Sequence, residues 1–391
     1  MWKQRGMYVI YLDNSATTRP FDCVIDAMST AMREAYFNAS AAYKPAVDVD
    51  RRMRAVRKAI ASQVGAQEDE VFFTAGGTES DNLAILGYAQ MLRKPSNFVV
   101  SAIEHPAVAD TVSRVEKLGH EVRILDIDSR GIVDLNAAEK LIDDKTALVS
   151  CMHVSNETGA IQPVAELSRM AKSKNPEARM HVDGVQGFMR VPMHMGRMGV
   201  DMYALSGHKI HAPKGIGALV VRKGVRLAAQ TTGGGQEKNL RSGTYDSPAI
   251  LGLGTAVEKM DQSRAEIEHM RELKAHLWQL LADLEGVRVN GPLPSEADSA
   301  PHILSLSFDG VRGEVMRNAL EGTGILISTG SACSSHKQKV SATLRAMGLS
   351  QEQADGTVRV SLGLYNTMEE IEETAAQMKK VFMMLRQYRR R

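Results

Sequence analysis

Between residues 71 and 221 the chain alternates short β-branched runs with longer amphipathic stretches. Segments 71–74, 97–101, 121–125, 147–154, 180–182, 202–205 and 217–221 read as strands, and 79–93, 105–118 and 164–174 as helices. Strands separated by a helix's length of chain need crossover connections, so their sheet is mostly parallel and covered on both faces. Such a sheet places its chemistry at the carboxyl ends of its strands. From residue 247 the pattern changes. Residues 247–284 read as one or two long helices, with an apolar stripe through Met260, Ile267, Met270 and Leu273. Strands at 287–289, 302–308, 326–328 and 357–361 follow, with helices at 313–320 and 367–389. The expectation is a large α/β unit over 15–255 and a smaller α+β unit formed by 1–14 and 256–391.

Composition narrows the function. Hydrophobic residues make up 43% and charged residues 24% of 391 positions, an ordinary globular balance. Lys and Arg total 48 against 46 Asp and Glu, a net charge of +2, which argues against a nucleic-acid binder. No run of about 18 apolar residues suggests a membrane span. The apolar run 8–12 stops at Asp13, too short for a signal-peptide core, so the expected setting is cytoplasmic. Three cysteines, Cys23, Cys151 and Cys333, cannot pair completely and fit no zinc cage. A reducing compartment and no resident metal are expected.

Six short segments carry candidate chemistry. Ser206-Gly207-His208-Lys209 follows a strand, and a lysine at a sheet's mouth suits a Schiff base with an aldehyde cofactor. His181-Val182-Asp183-Gly184-Val185-Gln186 ends a strand with an Asp able to pair a protonated pyridine nitrogen. Thr74-Ala75-Gly76-Gly77-Thr78-Glu79-Ser80 joins strand to helix through glycines, a phosphate cradle without the Walker lysine. Glu104-His105-Pro106 offers an imidazole to stack on a planar group or move a proton. Ser155-Asn156-Glu157 offers an amide for a phenolic oxygen or a substrate. Ser328-Thr329-Gly330-Ser331-Ala332-Cys333-Ser334-Ser335 surrounds one thiol with small residues, and His336, Lys337 and Lys339 stand nearby to favour its thiolate. Taken singly, each also has a bland reading: a surface lysine, a helix-capping Asp, a tight turn, a His at a helix start, a turn Asn, an incidental thiol. Cys23, in a helical segment, and Cys151, in an apolar strand, read as structural or incidental.

Together, and in this order, the segments resemble the cysteine desulfurases of the aminotransferase class V superfamily, the NifS/IscS-like group. The resemblance runs from Tyr11-Leu12-Asp13-Asn14-Ser15-Ala16-Thr17-Thr18 to Val358-Arg359-Val360-Ser361-Leu362-Gly363. It implies a fold type I pyridoxal-phosphate-dependent transferase and a homodimer. By resemblance, Lys209 carries the cofactor as a Schiff base, Asp183 pairs the pyridine nitrogen, and His105 stacks on the ring. Gln186 and Asn156 bond the ring oxygen or the substrate. Gly77, Thr78, Ser206 and His208 hold the phosphate, and Thr244 of Arg241-Ser242-Gly243-Thr244 reaches the partner subunit's phosphate. Arg359 clamps the substrate carboxylate, with Asn156 and Asn38 also at the substrate. Cys333 attacks the sulfur of L-cysteine, releasing L-alanine and keeping a persulfide that is also a transient cluster ligand.

Departures from the family pattern lie away from this chemistry. Gln338-Lys339-Val340-Ser341 stands where the housekeeping branch has Leu-Glu-Pro-Ser. Thr244-Tyr245-Asp246-Ser247 replaces Thr-Glu-Asn, and Asn38-Ala39-Ser40 lacks a common Pro. The first departure bears on the sulfur acceptor, either an iron–sulfur scaffold protein or a tRNA-thiolating sulfurtransferase, and the basic loop is more similar to the second branch. In the second case the partner, not this chain, holds the RNA. The alternatives are another class V reaction, transamination or selenocysteine lysis, and a catalytically dead sulfur carrier.

Overall fold

The computed structural model describes residues 3–4, 7–329 and 341–389. Strands β1 (Lys3–Gln4) and β2 (Met7–Tyr8) pair antiparallel, and β3 (Ile10–Tyr11) follows. Helices α1 (Asp22–Glu34) and α2 (Lys44–Val64) precede the main sheet. Its strands are β4 (Val71–Thr74), β5 (Asn97–Ser101), β6 (Glu121–Leu125), β7 (Thr146–Ser150), β8 (Arg179–Asp183), β9 (Met202–Ser206) and β10 (Gly217–Val221). The helices between them are α3 (Gly77–Ala89), α4 (Pro106–Lys117), α5 (Leu135–Leu141), α6 (Val164–Lys174) and α7 (Met195–Met198).

Among the described residues the sheet order is β4-β10-β9-β8-β7-β5-β6. The pairs β5–β6, β5–β7, β7–β8 and β8–β9 are parallel, while β10 runs antiparallel to both β4 and β9. The sheet is therefore mostly parallel, as expected, and the short link from β9 to β10 accounts for the reversed strand. Gly217 pairs with Thr74 on one side and Ser206 on the other, which brings the ends of β4 and β9 to the same edge.

Alternation along the strands divides the interior. Val99, Val149, Val182 and Leu205 enter one apolar cluster, with residues of α2 and α6. Phe98, Val100, Leu148 and Ala204 face the other way, onto α3 and α4. Each of these valines, leucines and the phenylalanine contributes roughly 1.5–3 kcal/mol on full burial. Both faces are covered, so the strand ends are the part of the sheet left for a ligand.

The 247–284 segment forms two helices, α8 (Ser247–Gln262) and α9 (Arg264–Leu281), broken at Ser263. Then come β11 (Val287–Val289), β12 (Ile303–Phe308), α10 (Gly313–Glu321), β13 (Ile325–Leu326), α11 (Ala342–Ala346), α12 (Gln351–Asp355), β14 (Thr357–Ser361) and α13 (Met368–Arg389). β11, β12 and β14 make an antiparallel sheet, and β3 pairs parallel with β13. Ile10 and Leu12 share a third apolar cluster with Leu273, Leu306, Val360 and Phe382. The N-terminal strand thus packs with the C-terminal elements.

Candidate active site

The strand ends supply the site. β5 runs into His105, β7 into Asn156, β8 ends on Asp183, and β9 runs through Ser206 into the single turn Gly207–Lys209. The parallel direction of these strands brings residues far apart in sequence to one edge. They line a cavity of about 930 Å³ that holds Gly77, Thr78, His105, Asn156, Asp183, Gln186, Ser206, His208, Lys209 and Arg359. Asn38 and Thr244 are not among its lining residues. Asn38 Oδ1 accepts from Ser40 N at 3.0 Å, and Thr244 is exposed. Cys333, His336, Lys337 and Lys339 lie outside the described residues. Of the other cysteines, Cys23 is exposed on α1 and Cys151 is buried just beyond β7.

Lys209 Nζ donates to Ser15 O and Ala16 O, both at 2.7 Å. The segment after β3 thus forms one wall. Asp183 is buried, and its Oδ1 accepts from Val185 N at 2.9 Å. Burial pushes its pKa up, while His105 and Lys209 oppose the rise. His105 caps α4, accepting from Ala107 N at Nδ1 (3.1 Å), so its proton sits on Nε2. Burial lowers its pKa and keeps the imidazole neutral, although the Asp183 charge works the other way. Burial likewise holds His208 down to about 4.

The glycine turn between β4 and α3 has the features of an anion site. Gly76 sits at φ 151° as the N-cap and offers no side-chain cap to the first amides of α3. A Cβ on Gly217 would meet Leu205 O at 2.5 Å and Gly76 Cα at 2.7 Å, so only glycine lets β10 approach the turn. Arg241 binds Glu79 Oε1 at 2.8 Å, docking Arg241-Ser242-Gly243-Thr244 beside this cradle.

Arg359 lies on β14 and is 3% exposed. Its Nη1 donates to Asn156 O at 2.7 Å and its Nη2 to Asp13 Oδ1 at 3.0 Å, while Nε is buried and has no partner among the described residues. A buried guanidinium with an unused N–H at a pocket wall suits a carboxylate ligand. Burial raises the Asp13 pKa against the pull of Arg359.

Two carboxyls given no role in the sequence reading shape the site: Asp81 lines the cavity and Glu104 stands behind it. Asp81, on α3, lies with Oδ1 3.4 Å from His181 Nε2, and burial pushes its pKa well up, helped by Asp183 and Glu104. Glu104 accepts from Ser101 Oγ and from Met152 N (2.8 Å), tying the end of β5 to the end of β7. Burial raises its pKa to about 8. Glu104 sits beside the singled-out His105, which was the one signal pointing to it. Asp81 had only its place one residue beyond the Thr74–Ser80 segment.

The residues present fit pyridoxal phosphate. An uncapped helix start and hydroxyls suit a phosphate, a buried carboxyl suits a ring nitrogen, and a lysine stands at a strand end. Among the described residues no cluster of three His, Cys, Asp or Glu could hold a metal.

This is a fold type I pyridoxal-phosphate enzyme, and the chain belongs to the aminotransferase class-V family, whose model matches residues 10–374. It is 40% identical over 384 residues to the cysteine desulfurase IscS of Escherichia coli, covering 96% of this chain and 93% of that one. It is 37% identical over 383 residues to the Dictyoglomus turgidum protein of the same name, covering 96% and 95%. Among solved structures, a NifS-like protein superposes with a TM-score of 0.88 at 36% identity, covering 97% of this chain and 99% of that one. A structure described as SspA in complex with cysteine superposes with a TM-score of 0.80 at 32% identity, covering 92% and 100%.

Proposed function

We propose that the protein is a pyridoxal-phosphate-dependent cysteine desulfurase that converts L-cysteine to L-alanine and keeps the sulfur as a persulfide on Cys333. The observation that carries this reading is the meeting of Lys209, Asp183 and Arg359 in one cavity, drawn from three strands. When bound, pyridoxal phosphate supplies the electron sink for charge developing at the substrate's Cα. Lys209 would hold it covalently, and its Nζ would take and return the Cα proton. Asp183 holds the ring nitrogen's proton, and His105 covers the ring. Gly77, Thr78, Ser206 and His208 hold the phosphate. Arg359 orients the substrate carboxylate, with Asn156 beside it and Asn38 entering the substrate site in the assembled enzyme.

Cys333 then attacks the substrate sulfur as a thiolate. The S–S bond forms as the Cβ–S bond breaks. The electron pair of that bond stays with carbon, and protonation gives alanine. L-cysteine and one thiol become L-alanine and one persulfide, with no external oxidant or reductant. Exchange with an acceptor thiol carries the sulfur onward, to an iron–sulfur scaffold protein or a tRNA-thiolating sulfurtransferase. The units 15–255 and 1–14 plus 256–391 act as cofactor-binding and cysteine-carrying domains. The enzyme works as a homodimer in the cytoplasm, Thr244 serving the partner subunit's phosphate. Among the described residues no helix is long and apolar enough to cross a membrane.

The test is alanine release from L-cysteine. Cys333→Ala is expected to keep the visible cofactor band and lose persulfide formation. Undiminished sulfur delivery by that variant would remove Cys333 as the nucleophile. Pyruvate formed from alanine and a keto acid, without desulfuration, would favour a transaminase.

A further inference from the structure

His302 is fully buried just before β12, among the C-terminal elements, yet its ring reaches the cofactor cavity's wall. Its Nε2 lies 3.3 Å from Gln186 Oε1, and Gln186 lines the cavity. The Gln186 amide bonds Ser15 O through Nε2 at 2.9 Å. A carbonyl only accepts, so the amide nitrogen must face Ser15. The amide oxygen must then face His302, and that oxygen also only accepts. His302 Nε2 therefore carries the proton. Its Nδ1 is the bare nitrogen, and it is the ring atom left buried with no partner among the described residues. A neutral ring agrees with its surroundings. Burial depresses its pKa first, and Arg190, Lys274, Arg359 and Lys209 all act in the same direction.

We infer that His302 is a positioning residue for the cofactor: donating from Nε2 to Gln186 Oε1, it fixes the amide so that its second N–H remains available to the oxygen of the cofactor ring. This rests on the reading that Gln186 faces that oxygen. Without the His302 donor, the amide is held at one end only, by Ser15. Rotation of the amide would then present oxygen to an anionic ring oxygen, a repulsive contact. The backbone of His302 also accepts from Leu362 N at 2.8 Å, so the device links the Arg359-bearing strand region to the cofactor wall.

The test uses the holoenzyme of His302→Leu, which lacks a donor, and His302→Gln, which can place an amide N–H near the Nε2 position. His302→Leu is expected to shift the visible cofactor band and to weaken cofactor retention about tenfold, through loss of the Gln186 hydrogen bond to the anionic ring oxygen. His302→Gln is expected to restore the band. Gln186→Ala serves as the control. If it shifts the band and His302→Leu does not, the inference about His302 is overturned while Gln186 keeps its role. If Gln186→Ala leaves the band unchanged, the reading beneath fails and the inference with it. Should His302→Leu not fold, nitrogen NMR of the unsubstituted protein decides. Protonation at Nε2 alone is expected, and a proton on Nδ1 overturns the proposal.

Discussion

In the proposed enzyme, Arg359 is a side chain prepared for a ligand before that ligand arrives. Asp13 and the Asn156 carbonyl hold two of its nitrogens, and Nε is left over. The fork, rather than the charge, is what a substrate carboxylate recognises. Arg359→Lys keeps a cation for Asp13 and loses the fork. It is expected to raise KM for L-cysteine roughly ten- to a hundredfold with a smaller change in kcat, as for the loss of a charge-assisted bond. An unchanged KM in steady-state alanine release would mean that the carboxylate binds elsewhere. Glu104 gives a second residue-scale prediction. Its pKa rises from 4.5 to about 8 in the folded protein, chiefly through burial. In that window the folded state holds a proton that the unfolded chain has released, so this residue's contribution to stability falls as pH rises from 4.5 to about 8. Glu104→Gln keeps an acceptor for Ser101 and Met152 without a titrating proton. Relative to the unsubstituted protein, its urea midpoint is expected to improve steadily across that window, and a pH-independent difference would contradict it.

At the scale of elements, the start of α3 is the most tightly specified joint. A Cβ on Gly77 would meet Val185 Cγ2 at 2.6 Å and Ser206 Cβ at 3.7 Å. Gly77→Ala is expected to push the helix start off the wall that carries Val185 and to weaken cofactor retention about tenfold, as a loss of about 1.4 kcal/mol. Adding Val185→Ala removes the offending methyl and is expected to restore most of it, read by cofactor absorbance after dialysis. A double variant no better than the single would mean that the new methyl itself fills the phosphate's place. Such joints are only partly legible in sequence. The strands at 217–221 and 357–361 and the helix at 164–174 match their patterns to the residue, because apolar runs and turn residues bound them locally. The 147–154 strand is regular only to Ser150, although Cys151 N and His153 N still donate to His181 O and Asp183 O of β8. Helix α2 has no counterpart in the sequence expectations, although Val49, Met53, Val56, Ile60 and Val64 mark a helical stripe. The site residues Lys209, Asp183 and His105 were legible because each follows a strand. Asp81, Glu104 and His302 were not, because their meaning comes from partners such as Met152, Asp183 and Gln186 that only tertiary packing brings near.

At the scale of the whole molecule, exposed apolar side chains gather around α1 and the start of α2. Ile25 and Met32 lie seven residues apart on α1 and Tyr36 lies just beyond its end; they are 49%, 58% and 69% exposed. Tyr43 and Val47 continue at the start of α2, and Tyr36 stacks on Phe37, which meets Tyr43 edge-on. Large apolar side chains grouped in this way mark an association surface. A second copy of the chain is the occupant that the proposed homodimer calls for, and it explains the position of Thr244. That residue is exposed, outside its own cavity, yet its segment is docked by Arg241 to Glu79 beside the phosphate cradle. A group at such a rim can serve a phosphate bound by a neighbour. Cofactor retention should then depend on assembly, since anything bound only by the dimer stabilises it by mass action. The unsubstituted protein is expected to sediment at twice 42.7 kDa. The pair Met32→Glu and Tyr36→Glu places like charges on the self-complementary face and is expected to yield a monomer that loses pyridoxal phosphate on dilution. Thr244→Ala is expected to remain dimeric and lose the cofactor more readily. A charged-face variant that stays dimeric would place the interface elsewhere. A monomer that keeps its cofactor at all dilutions would confine the phosphate site to one chain.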